Sequence, residues 1–426
     1  MDTKEILTGI FNAAVKAVDP YECVSRYLIN TPPVWEGGVH IIGFGKAAYG
    51  MGAACEEVIG SDVRGGILIT KYGHSGSLRK LKIFEADHPV PDLNGQNATR
   101  ELIDYIGKLG EDEKLLCMIS GGGSALLCSP LGELELADKQ KTTDILLKAG
   151  ADIFELNSVR KHLSSVKGGR LIALSGTKKV TSLIISDVLG DRIDVIASGP
   201  TSPDGSSYSD ALAVIRKYGI ESSVPEKVLD ILHRGLRGEM QETLKPDDEE
   251  AGRVSNVIVG SLDMAIKAAA EKAKALAMNV IISKVHVRGE ARLAGRDLAK
   301  KAVEIAGSLE KRPVCLISGG ETTVTVKGKG KGGRNMELAL SFAREISGRP
   351  DIALLSAGTD GGDGPTDAAG AIVDDHTVER GMAFGVDIDG YLENNDSYQY
   401  FREEGGLFIT GPTGTNVMDL QIAIIK

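Results

Sequence analysis

Aromatic side chains are scarce in this sequence. Phe, Trp and Tyr make up 4% of its 426 residues, and Trp35 is the single tryptophan. A surplus of positive charge is also missing: 49 Lys and Arg against 59 Asp and Glu leave a net charge of −10. A chain with neither a basic excess nor stacking rings is a poor nucleic-acid binder, so nucleic acid is excluded as a general partner. Cysteine is sparse as well. Cys23, Cys55, Cys117, Cys128 and Cys315 form no CxxC and no paired spacing, which predicts free thiols in a reducing cytoplasm. The seven histidines are too scattered to suggest a zinc site. There is no long hydrophobic run of the membrane-spanning kind. The longest uncharged stretch, residues 115–132, contains Gly121-Gly122-Gly123, three serines and Pro130, and reads as a strand, a loop and a helix start. The opening residues MDTKEILTGIF lack a cationic start followed by an apolar core, so no secretory leader is expected and a cytoplasmic location is.

Glycine is abundant: 53 residues, or about 12% against roughly 7% in an average chain. Most of the informative ones follow short Val/Ile/Leu runs that read as strands covered on both faces, with 3.6-periodic stretches between them. The expected strands are 39–42, 66–70, 115–119, 180–186, 256–259, 314–317 and 352–356. The expected helices are 4–18, 47–59, stretches within 137–174, 264–276 and 291–306. This alternation predicts two α/β domains, each a largely parallel or mixed sheet flanked by helices, the first Rossmann-like, with the active site in the cleft between them. Residues 236–252 lie in a polar, charged run without apolar periodicity. They are the expected linker or crossover between an N-terminal domain of residues 1–235 and a C-terminal domain of residues 253–426. LLCMISGGGS and VCLISGGET echo each other, which convergent loop chemistry explains more simply than duplication.

Glycine loops at strand ends let backbone N–H groups approach phosphate. Gly43-Phe-Gly45-Lys46-Ala-Ala48 fits the looser dinucleotide fingerprint G-x-G-x-x-A. The acid expected at the end of the second strand is missing, and Lys71 occupies that region. Lys46 suits an anion contact or a solvated surface position. Arg160, Ser164 and Lys167 fall near one helix face, for anion binding or for a salt-bridged surface. His162 in the same stretch reads as a structural histidine before a general base. The run Lys327-Gly-Lys-Gly-Lys-Gly-Gly-Arg334-Asn335 predicts a flexible cationic lid feeding a helix, with Arg334 the strongest candidate; an exposed hairpin is the alternative. Carboxylates gather at two strand ends, Asp187, Asp191 and Asp194 at one and Asp360, Asp363 and Asp367 at the other. They suit magnesium, acid–base chemistry or ordinary Asp-Gly turns.

The motifs GFGKAAYGMG (43–52), HPVPD (88–92), SGGGSALL (120–127), NSVRKHLSSVKGGRL (157–171), SDVLGDRIDVIASGPTSPD (186–204), RGEAR (288–292), SGGETTVTVKGKGKGGRNMELAL (318–340), GTDGGDGPTDAAGA (358–371) and TGPTGTNVMDL (410–420) together span nearly the whole chain. In them the sequence resembles the class II glycerate kinases, whose C-terminal half carries the MOFRL domain. The resemblance implies transfer of the γ-phosphoryl group of ATP to D-glycerate, with Mg²⁺, giving 2-phosphoglycerate and ADP. It implies Lys46 and Arg334 as the basic pair facing substrate and transferred phosphate. It also implies Asp191, with Asp187 nearby, as the cleft carboxylate that orients magnesium or takes the hydroxyl proton. Around these, Gly45, Ser120, Gly121, Gly122, Gly123, Ser124, Arg160, Lys167, Ser318, Gly319, Gly320, Glu321, Asn335 and Asp360 are the expected substrate- and phosphate-binding residues. The partners expected are small molecules, with no nucleic acid and no membrane, and a homodimer is compatible with the sequence. Two other readings stand beside this one: an NAD(P)H-dependent hydroxypyruvate reductase, which the G-x-G-x-x-A loop allows, and a non-catalytic sugar-acid sensor.

Overall fold

Leu7, Ile10, Phe11 and Ala14 fall on one stripe of the first helix, α1 (Thr3–Ala17), and all four are buried. The computed structural model describes residues 2–31, 35, 37–308, 312–349 and 351–426. The chain divides into two units, one of residues 20–259 and one of residues 1–19 with 260–426.

The unit of residues 20–259 opens with α2 (Pro20–Asn30), β1 (Val39–Phe44), α3 (Ala48–Ile59), β2 (Val63–Lys71), β3 (Leu81–Ala86), α4 (Leu93–Ile106) and β4 (Lys114–Ile119). It continues through α5 (Gly123–Leu126), α6 (Leu136–Lys148), α7 (Ile153–His162), α8 (Arg170–Ala173), β5 (Lys179–Ile185), α9 (Tyr208–Lys217), α10 (Glu226–Leu236) and β6 (Val254–Gly260). The sheet runs β3-β2-β1-β4-β5-β6, and β1 to β5 pair in parallel. Ile42, Phe44, Cys117 and Ile119 pack on one face, while Ile41, Leu68, Leu116 and Met118 are buried on the other. Both faces are therefore covered, as the continuous apolar runs predicted. Strand order reverses at β1: the chain steps outward to β2 and β3, then returns to place β4 on the other side. The carboxyl ends of β1 and β4 thus flank the crevice where ligands bind in such sheets.

The other unit carries α11 (Leu262–Ala275), β7 (Asn279–Ile282), β8 (Val287–Glu290), α12 (Ala291–Gly307), β9 (Val314–Thr323), α13 (Arg334–Ile346), β10 (Ile352–Gly358), β11 (Gly370–Asp374), β12 (Leu407–Phe408) and β13 (Asp419–Ile425). Its sheet order is β12-β11-β10-β13-β9-β7, with β8 paired to β9. β13 runs antiparallel between β9 and β10, so this sheet is mixed. The α/β class holds for both units.

The domain boundaries differ from the expected ones at both ends. α1 packs against α11 and β13, and Phe11 meets Phe408 edge-on at 5.2 Å. Thr415 Oγ1 also donates to the Val18 carbonyl at 2.7 Å. Residues 1–19 therefore belong with the C-terminal half. β6 closes the edge of the first sheet, although it lies beyond the expected linker. Residues 236–252 are not a free linker. Leu244 exchanges backbone bonds with Gly168 and Asp204, and Thr243 and Leu244 are buried. All five cysteines are buried and free. Among the described residues no helix is long and apolar enough to cross a membrane.

Candidate active site

In the unit of residues 20–259, the loops after β1 and β4 are stitched together. Ser120 N donates to the Phe44 carbonyl at 3.2 Å and Lys46 N to that of Gly121 at 2.9 Å, while Ser120 Oγ accepts from Ala47 N at 3.1 Å. Gly45 has φ 128°, and a Cβ there would overlap Ser120, so glycine is required. The residues around the second loop are equally close. A Cβ on Gly121 would strike the Asp187 carboxylate, and one on Gly122 (φ 82°) would press on His88 and the Lys46 side chain. The glycines therefore hold Lys46, His88 and Asp187 against bare backbone. The N–H groups of Gly121 and Gly122 have no acceptor among the described residues, and adjacent free N–H groups form an anion-binding concavity.

The electrostatics of this corner are cationic. The Lys46 ammonium forms no ion pair among the described residues. Burial, reinforced by the charges of Lys46 and Lys71, holds His88 down at about 4, so its imidazole is neutral near pH 7. Burial pushes the Asp187 carboxyl up, against the opposing pull of its own backbone N–H and of Lys46. Lys71, His74 and His88 were not picked out as site residues. They reach this corner because β2 and β3 end beside β1, and HPVPD was the sequence signal for His88. β2 ends at Lys71, while Asp62 precedes its start. The acid that a dinucleotide ribose requires is therefore absent from the strand end, and G-x-G-x-x-A here is not a nicotinamide fingerprint.

Asp191 sits half-exposed in the loop after β5 at φ 51°. Ala197 and Ser198, further along the same loop, also have positive φ, a conformation L-residues adopt only when neighbours impose it. Here Lys167 Nζ donates to the Ala197 carbonyl at 3.4 Å and Ser198 Oγ donates to Asn157 Oδ1 at 2.9 Å. Ser124 Oγ accepts from Arg160 at 2.8 Å and from Lys167 at 3.1 Å, and lies 2.8 Å from Ser198 Oγ. Its proton is thus committed to Ser198, and the hydroxyls of Ser120 and Ser124 shape the loop rather than face a ligand. His162 has both ring nitrogens against acceptors, the Ser158 carbonyl at 2.7 Å and Glu242 at 2.8 Å, and is structural.

In the other unit the structure corrects several expectations. Ser318, Gly319, Gly320 and Glu321 form no phosphate loop. They lie within β9, where Ser318, Gly319 and Gly320 pair with Gln421, Leu420 and Asp419 of β13, and Gly320 and Glu321 pair with Val287 and Arg288 of β8, so they form strand and not loop. The two SGG segments therefore differ in structure, one a loop and one a strand. The 327–333 run is no loose lid. Lys327 N and Gly328 N donate to Asn395 Oδ1, Lys329 N to Asn394 Oδ1 and Lys331 N to Asp396 Oδ1. A Cβ on Gly328, Gly330 or Gly332 would collide with residues 394–397. Alternation thus turns glycines toward that segment and leaves Lys327, Lys329 and Lys331 exposed.

Arg334, the first residue of α13, is not a free cation. Its Nε and Nη2 donate to both oxygens of buried Asp419 at 2.6 and 2.8 Å, and Nη1 lies 2.9 Å from Glu321. The α13 N-terminus is likewise occupied. Asp363 accepts from Asn335 N at 3.0 Å and Met336 N at 2.8 Å, and burial pushes its carboxyl up to about 7. Asn335 points inward, its Oδ1 accepting from Ser356 Oγ at 2.8 Å. Asp360 Oδ1 caps Gly362 N at 3.0 Å, beside Asp419 at the end of β10. Asp419 was missed because it lies 85 residues from Arg334 in the chain and reaches it through the antiparallel return of β13. Among the described residues no three His, Cys, Asp or Glu side chains converge as a metal cage.

A parallel sheet with an unpaired lysine, bare backbone donors and a half-buried carboxylate at its switch point makes this an α/β protein whose crevice has the chemistry to hold a small anion. Residues 6–233 match a family described as a domain of unknown function, DUF4147, and residues 314–419 match the MOFRL family. A D-glycerate 2-kinase of Thermotoga maritima is 45% identical, covering 99% of this chain and 98% of that protein. A glycerate 2-kinase of Pyrococcus horikoshii is 42% identical over 100% of this chain and 98% of its own. The crystal structure of a Thermotoga maritima glycerate kinase superposes with a TM-score of 0.90 at 44% identity, over 99% of each chain. The chain belongs to the glycerate 2-kinase family.

Proposed function

We propose that the protein transfers the γ-phosphoryl group of ATP to the 2-hydroxyl of D-glycerate, giving 2-phosphoglycerate and ADP. The observation that carries this reading is the Lys46 corner: an unpaired ammonium beside the free N–H groups of Gly121 and Gly122 and the Asp187 carboxyl. Phosphoryl transfer is catalysed mainly by alignment and charge stabilisation, and this corner offers both. Lys46 and the two N–H groups offset charge on the transferring oxygens. Asp187, whose carboxyl burial pushes upward, accepts the proton of the 2-hydroxyl as the new O–P bond forms and the bond to the ADP oxygen breaks. In the other unit, Asp419 fixes the plane of Arg334, the residue that the family resemblance implies as the second basic group of the reaction.

Magnesium fits as a site of one or two carboxylates completed by substrate phosphates, which is its usual preference. Asp191 would hold it, leaving Asp187 to take the proton. When bound it would neutralise phosphate charge. The proposal extends to a cytoplasmic enzyme whose partners are small molecules, with a homodimer compatible with it.

The test is ADP formation from ATP and D-glycerate by the wild type and Lys46→Ala. A loss of about a hundredfold in kcat, roughly 3 kcal/mol, with an unchanged melting temperature supports the reading. Wild-type turnover by the variant refutes it.

A further inference from the structure

Around the Ser120–Ser124 loop lie basic side chains without carboxylate partners. Lys167 is 1% exposed and gives its ammonium to neutral oxygens: the Ser124 carbonyl, Ser124 Oγ and the Ala197 carbonyl. Lys139 is 8% exposed and its Nζ has no hydrogen-bond partner. Arg160 uses one guanidinium nitrogen on Ser124 Oγ, and its other N–H groups have no acceptor among the described residues. The nearby carboxylates are already engaged, Asp204 by Lys161 at 3.0 Å and Glu242 by His162 at 2.8 Å. Burial pushes the Lys139 amine down to about 8 and that of Lys167 well down, which leaves the Arg160 guanidinium as the charge that stays. A half-buried cation without a charged partner is costly, so an acidic chain that keeps one at this loop is completed by an anion.

We propose that this cluster is the carboxylate subsite for the phosphoryl acceptor, with Arg160 presenting its free guanidinium edge to the carboxylate of D-glycerate and the amine of Lys139 behind it raising the local potential. The inference rests on the kinase reading above. A planar guanidinium fork matches a carboxylate in two-point geometry. The phosphate-type donors, Lys46 with the N–H groups of Gly121 and Gly122, lie at the other end of the same five-residue loop. A 2-hydroxy acid carries its carboxylate one carbon from the hydroxyl that is phosphorylated, so it needs these two kinds of site side by side. Arg160 is then a binding residue, while Lys139 acts through its field and Lys167 by tying Ser124 to the Ala197 carbonyl.

The experiment measures KM separately for D-glycerate and ATP in the wild type, Arg160→Met, Arg160→Lys and Lys139→Met, with thermal shifts of each protein in D-glycerate or glycerol without nucleotide. The expected result is a KM for D-glycerate raised about 100-fold in Arg160→Met, about tenfold in Arg160→Lys and several-fold in Lys139→Met, with KM for ATP within about twofold. The wild type is stabilised by D-glycerate and not by its uncharged analogue glycerol. A raised KM for ATP at unchanged KM for D-glycerate would mean that the cluster takes nucleotide phosphate and overturns the proposal, as would equal stabilisation by glycerol. If the wild type forms no ADP from D-glycerate, the kinase reading fails. A D-glycerate thermal shift lost in Arg160→Met would still support the subsite, so the two readings fail separately.

Discussion

Arg334 and Asp419 face each other in a two-point ion pair, Nε to Oδ2 at 2.6 Å and Nη2 to Oδ1 at 2.8 Å, with Asp419 only 1% exposed. Removing the carboxylate leaves a partly buried guanidinium held by Glu321 alone. Asp419→Asn is expected to lower kcat at least tenfold and reduce the melting temperature, by about 2 kcal/mol of stability once the partial exposure of Arg334 is allowed for. Arg334→Lys keeps the charge but loses the fork, and is expected to fall between wild type and Arg334→Ala in kcat. Equal activity of Arg334→Lys and wild type would show that the two-point geometry is dispensable. Steady-state kinetics with thermal melting decides it.

Gly122 occupies φ 82° with His88 and Lys46 against it. Gly122→Ala adds backbone strain of about 1 kcal/mol and pushes the Lys46 side chain away. The expected outcome is a folded protein with kcat reduced tenfold or more. Gly219→Ala serves as the control, because Gly219, after α9, shares positive φ but would meet nothing within 4 Å, so it carries strain without a collision. Equal losses in the two variants would mean that strain alone, and not displacement of Lys46, is responsible.

Asp363 gives a pH dependence. Burial, with Asp419 adding to it, raises its carboxyl from the usual range to about 7 in the folded protein, although two backbone N–H groups pull the other way. The folded state therefore binds the proton more tightly than the unfolded chain between about pH 4 and 7. The stabilising contribution is complete below that window and is lost as pH rises through it. Asp363→Asn removes the titration, so its melting temperature relative to wild type is expected to become more favourable from pH 5 to pH 8. A difference that stays flat across this range would contradict the assignment.

His88 titrates in the opposite sense. Burial and the charges of Lys46 and Lys71 hold it at about 4, so the unfolded chain takes up the proton first as pH falls below about 6.5. Stability is lost from there toward pH 4. His88→Gln is expected to flatten this part of the profile of melting temperature against pH. An unchanged slope would mean that the histidine is solvated.

Most of the parallel sheet of the first unit was legible because both its faces are buried, which makes β1, β2, β4 and β5 apolar runs, with β1 and β4 leading into glycine loops; β3 (LKIFEA), half-buried along its length, was not. Lys46, Gly121, Gly122 and Asp187 were legible for the same reason, since each lies just past such a run. The second unit was harder to read. β13 and β11 return antiparallel from distant parts of the chain, and nothing local in MDLQIAII announces that Asp419 will meet Arg334. The glycines at 319 and 320 look like loop residues in sequence, yet they serve close packing inside β9 against Leu262 and Val287. The lysine-glycine run looked mobile because its anchors, Asn394 and Asn395, lie about 65 residues away.

The phosphorus NMR spectrum of the product formed from ATP, Mg²⁺ and D-glycerate tests the proposed reaction most directly. A 2-phosphoglycerate resonance appearing together with ADP is the predicted result. A 3-phosphoglycerate resonance, or ADP release with no phosphorylated acid, would contradict it.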